Sequence, residues 1–102
     1  MDRKEMKDIF NHLFYLEEYI LDTKGNEYSG ENNVLRNFED LSNDINLTQE
    51  KILWIYLKKH LDAIKSYINI EKELSSETIK NRIIDARVYL GILYCMILNE
   101  KR

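Results

Sequence analysis

Apolar residues recur every three or four positions through most of the chain, in separated runs that read as helices. Met6, Ile9, Leu13, Leu16 and Ile20 follow helical spacing behind Asp2 and Glu5, which form a capping-box pattern. A first helix is therefore predicted from about Arg3 to Thr23. Gly25, Gly30 and the Asn and Ser around them end it, and Val34, Leu35, Phe38 and Leu41 predict a short second helix. Thr48, or Asn46 with Gln49, caps a third helix running to about Lys72, whose predicted inner stripe is Ile52, Tyr56, Ala63, Tyr67 and Ile70. The stretch "ELSSET" stops that helix. Ser75 or Ser76 then caps a fourth, from about Glu77 to Asn99, with Glu77 suited to the positive end of the helix dipole.

No run alternates with period two between turn residues, so no strand is predicted. The fold class expected is all-α: a compact bundle of three long helices plus one short helix, in a single domain over residues 1–102, with no internal repeat or linker. The fourth helix changes character along its length. Its first half carries Lys80, Arg82, Asp85 and Arg87, whereas Tyr89 to Leu98 is apolar nearly all round. A monomer's surface helix keeps a polar face throughout. That second half should therefore be covered on more than one side, by the other helices and by a second copy of the chain; an interior helix within a monomer is the alternative.

The apolar run at residues 88–98 is too short to cross a bilayer, which takes about 20 residues. Cys95 lies in that run and is expected to be buried and inert. It is the one cysteine, so no intrachain disulfide can form, and a reducing, cytoplasmic setting is expected. The start of the chain mixes charges of both signs and does not read as a signal peptide. A hydrophobic fraction of 44% and a charged fraction of 32% suit a folded chain, and the absence of proline favours long helices. A net charge of −3 argues against duplex nucleic acid as the main partner, because that surface needs cations to displace counterions.

Candidate chemistry lies in polar residues set among apolar ones. His60 falls four residues after Tyr56 and three before Ala63, on the predicted inner stripe, either as a satisfied core histidine or, with Lys58 and Lys59, as part of a phosphate-holding rim. Arg82, Asp85 and Tyr89 share one helix face. They form either an ion pair with a tyrosine packed over it or a cavity wall whose tyrosine stacks on a planar ligand. Glu17, among Phe10, Leu13, Phe14 and Leu21, sits at the core edge or pairs with a buried cation. In "YSGENNVLRNF", Tyr28, Arg36 and Asn37 offer an aromatic plane, an anion-binding fork and an amide near a helix start, whose N–H groups also suit a phosphate. There is no P-loop, dinucleotide fingerprint, zinc spacing, nucleophile elbow or HExxH, and Glu5 with Asp8 is a lone ExxD.

"YSGENNVLRNFE", "LTQEKILWIYLKKHLDAIKSYI" and "SSETIKNRIIDARVYLGIL" resemble, in order and spacing, the nucleotide modification associated domain type 1 family of small phage and bacterial proteins, from about Gly25 to Leu93. The resemblance implies a helical protein of phage or prophage origin tied to nucleotide metabolism or base modification. It singles out Tyr28, Asn37, Phe38, Lys59, His60, Asp85 and Tyr89. Val88 stands where the family pattern has an asparagine before the tyrosine, which removes a polar group from the suspected site.

Three functions are open. In the first, the chain binds a nucleotide or nucleotide-derived signal without catalysis, sequestering it to counter host defence, as a homo-oligomer with no cofactor, metal or membrane partner. Arg36, Lys59, His60 and Arg82 hold phosphate there while Tyr28 or Tyr89 stacks on the base. In the second, an all-helical pyrophosphohydrolase gathers Glu17, Glu18, Asp22 and Asp85 around magnesium. In the third, an interaction module docks its apolar fourth helix onto a host factor.

Overall fold

The computed structural model describes residues 1–25, 33–70 and 78–100, and every regular element among them is helical. Helix α1 spans Arg3–Ile20 and runs into a π-helical turn at Leu21–Gly25; α2 spans Arg36–Ile45, α3 Gln49–Ile70 and α4 Ile79–Glu100. Ser75 and Ser76, the expected caps of the last helix, lie outside the described residues, as do Glu77, Tyr28 and Gly30.

Local chemistry sets the ends. The Asp2 carboxylate accepts from the Glu5 N–H at 2.8 Å and starts α1. At the other end the Thr23 hydroxyl donates to the Tyr19 carbonyl at 2.8 Å; a side chain competing for an i−4 carbonyl in this way accompanies the widened π turn. Asn33 prepares α2: its side-chain oxygen accepts from the Leu35 N–H at 3.3 Å and its carbonyl from the Arg36 N–H at 3.2 Å. Asn46, at φ 54°, takes the left-handed conformation that ends α2. Thr48 caps α3 through the Lys51 N–H at 3.3 Å, and Thr78 caps α4 through the Asn81 N–H at 3.2 Å.

The core forms where α2 and α4 meet α3. Leu35, Leu53, Leu57, Ala86 and Met96 are its buried members, with Phe38, Ile64, Ile92 and Leu93 packed against them. The buried stripe of α3 therefore runs through Leu53 and Leu57, a correction to the predicted line: Ile52 is buried as expected, but Tyr56 and Ile70 are exposed. Its cause is legible in "ILWIYL", residues 52–57, where six apolar residues in a row leave no periodic contrast to orient the helix. Helices α3 and α4 are antiparallel, since Glu50 meets Glu100, Tyr56 meets Tyr89 and His60 meets Arg82.

Helix α4 is not an interior helix. Leu90, Tyr94, Ile97 and Leu98 are exposed, and so is Cys95, against the expectation of a buried thiol. Helix α1 contributes no buried residue at all. It is held to α4 by Arg87, which pairs with Glu17 and lays its guanidinium over the rings of Phe10 and Phe14, 5.6 and 5.7 Å from their centroids. Glu17 is thus the paired carboxylate of the two alternatives. No helix among the described residues is long and apolar enough to cross a membrane.

Candidate functional site

A line of rings crosses three helices and ends on a guanidinium. Phe38 of α2 meets Tyr56 of α3 edge to face, with centroids 6.3 Å apart and planes at 71°. Tyr56 stacks on Tyr89 of α4 at 6.3 Å and 19°. Tyr89 then meets His60, one turn along α3 from Tyr56, at 5.4 Å and 32°. Such pairs favour offset or tilted geometries because each ring carries a negative face and a positive edge.

His60 closes the line through Nδ1, which lies 3.2 Å from an Nη of Arg82. A guanidinium only donates, so Nδ1 of His60 is the acceptor in this contact and the ring proton resides on Nε2. Both side chains are half-buried, and Nε of Arg82 is buried outright. Helical spacing on each side produces the meeting. Tyr56 and His60 are four apart on α3, and Arg82 and Tyr89 seven apart on α4, so each pair stands on one face of its helix. The antiparallel register of the two helices brings those faces together.

The site residues expected from the sequence are thus partly assembled. His60, Arg82 and Tyr89 converge. Asp85 is half-buried on α4, between Arg82 and Tyr89 along the chain. Lys59 is exposed beside His60, while Lys58 is engaged by Asp62 at 2.8 Å in an exposed pair one turn apart. Arg36 and Asn37 are exposed on the first turn of α2. The N–H groups of Leu35 and of Arg36 itself are already committed to Asn33, whose amide also donates to the Glu39 carboxylate at 2.8 Å. A carboxylate so placed takes up the positive end of this helix, which leaves less of it for a phosphate. Tyr28 falls outside the described residues.

Tyr56 is the site residue that sequence reasoning placed elsewhere, on the core stripe. Its spacing of four from His60 is the signal that joins the two. Among the described residues no group of three or more His, Cys, Asp or Glu is gathered so as to hold a metal ion. Compared with protein families, curated proteins and solved structures, the chain matches none.

Proposed function

We propose that the chain is a helical binding protein that holds a phosphorylated planar molecule, of nucleotide type, without altering it chemically, and that it works as an assembly of identical copies. The observation that carries this reading is the contact between Arg82 and His60 beside the Tyr56–Tyr89 stack. It sets a fork-shaped cation and an imidazole next to aromatic faces, the donors and the stacking surface that a phosphorylated base calls for. Lys59 and Arg36 add cations at exposed positions, and Asn37 an amide. The resemblance to the phage family extends the proposal to sequestration of a host nucleotide signal in the host cytoplasm.

Catalysis has less support. Glu17, one of the four carboxylates that a magnesium-dependent hydrolase would gather, is committed to Arg87. A second reading, an interaction module, is favoured by one feature: Leu90, Tyr94, Ile97 and Leu98 stand exposed on α4.

A melting-temperature screen against nucleoside mono-, di- and triphosphates and cyclic dinucleotides tests the proposal. A ligand at a hundred times its Kd stabilises the folded state by about 2.7 kcal/mol, on the order of 10 °C for a domain of this size. His60→Ala should abolish the gain while the protein remains folded. A flat response across the panel sinks the ligand proposal and leaves the interaction module.

A further inference from the structure

The α3–α4 hairpin exposes apolar residues in a repeating order. On α3, Trp54, Leu61 and Ile68 are each seven residues apart; on α4, Ile83, Leu90 and Ile97 are likewise seven apart. All six are exposed, Trp54 to 53% and Leu90 to 52%. Scattered exposed leucines need no explanation, but two parallel lines at heptad spacing do.

The two lines lie on one side of the hairpin. With each residue turning a helix by about 100°, the order around α3 runs from His60 through Leu53 and Leu57 of the core to Ile68, Leu61 and Trp54. Around α4 the same sense of rotation leads from Tyr89 through Leu93 and Ala86 to Ile97, Leu90 and Ile83. In antiparallel helices packed face to face, equal senses of rotation lead to the same side. The ring line and the apolar lines therefore occupy opposite edges of the hairpin. The antiparallel register seen in the Tyr56–Tyr89 and His60–Arg82 contacts sets the Trp54 end of one line beside the Ile97 end of the other. Each line covers a length of about 21 Å.

We infer that this face is where a second copy of the chain docks, two hairpins closing into a four-helix arrangement. A two-fold axis through the middle of this face makes it self-complementary, because the same patch then serves on both copies. The area fits. The chain as a whole exposes 8073 Å², whereas a folded monomer of its mass exposes about 6,100 Å²; surface on the scale that homodimers bury is in excess, and this face holds part of it. The radius of gyration, 15.4 Å, likewise exceeds the value of about 13 Å for a compact chain of this length.

This inference rests on the self-association part of the proposed function and is independent of its ligand. The test is sedimentation equilibrium of the full chain up to about 100 μM, a concentration at which mass action favours even modest dimers. A dimer is expected. Leu61→Glu with Leu90→Glu should give a monomer with its helical circular dichroism retained, whereas Ile55→Glu, on another face of α3, should leave the dimer intact. Trp54 is the one tryptophan, so its emission reports on the unaltered protein and should shift to the red as dilution separates the copies. A dimer that survives the paired glutamates, or Trp54 emission that stays constant through dissociation, overturns the assigned face while self-association stands. A wild-type chain that is monomeric at the highest concentration removes self-association itself.

Discussion

Arg87→Met removes one cation while keeping an aliphatic stem of similar length, and the structure allows its cost to be worked out. Arg87 and Glu17 are 29% and 21% exposed in their side chains. Removing one member of a fully buried pair costs about 3–5 kcal/mol; at this exposure, screening reduces that to about 1–2 kcal/mol. The guanidinium also lies over two rings, each contact adding about 0.5–1 kcal/mol. A loss of about 2–4 kcal/mol follows, or on the order of 10–20 °C in melting temperature. Because α1 buries no residue of its own, the loss should be local before it is global. Amide exchange should show α1 losing protection ahead of α3 and α4, and Glu17→Gln should reproduce part of the effect without adding to Arg87→Met in full. An Arg87→Met protein that melts within about 2 °C of wild type, with α1 as protected as before, refutes the assignment of Arg87 as the anchor.

Other consequences concern the core, a cap and one acid pair. Leu57→Ala should cost about 2–5 kcal/mol in urea unfolding, against about 0.5 kcal/mol or less for Ile55→Ala; equal costs contradict the orientation of α3. Thr78→Ala, which removes the α4 cap, should cost about 1 kcal/mol, read in the same unfolding assay. The Glu50 carboxyl, by hydrogen bond and by its charge, holds the Glu100 carboxyl above the usual range in the folded chain. A raised folded pKa contributes stability that is full below the unfolded value and is lost as pH rises through the folded one. Stability measured from acid to neutral pH should therefore decline less steeply in Glu50→Gln than in wild type, and identical profiles refute the pairing.

Much of the fold was legible in the sequence because short-range chemistry decides it. Asp2, Asn33 and Thr48 mark helix ends through bonds that reach only a few residues. The facing of the helices was less legible. "ILWIYL" is apolar whichever way α3 turns, and only the packing of α2 and α4 against it selects Leu53 and Leu57. The polar partners divide in the same way. The spacing of Tyr56, His60, Arg82 and Tyr89 within each helix is visible in the chain, but the meeting of His60 with Arg82 across 22 residues depends on the hairpin register. Glu17 announced a partner by its apolar setting, and the identity of that partner came from a helix 70 residues away. Cys95 stands exposed at the surface of an apolar run because, among the described residues, nothing covers that side of α4.

The most direct test of the central claim is a nuclear magnetic resonance titration with isotope-labelled arginine and histidine, adding the nucleotide panel to the intact protein. The account predicts that the guanidinium signal of Arg82 and the ring signals of His60 move together and saturate with one ligand, while those of Arg87 and His12 stay in place. Saturating shifts confined to residues away from His60 and Arg82, or no shifts with any member of the panel, would contradict it.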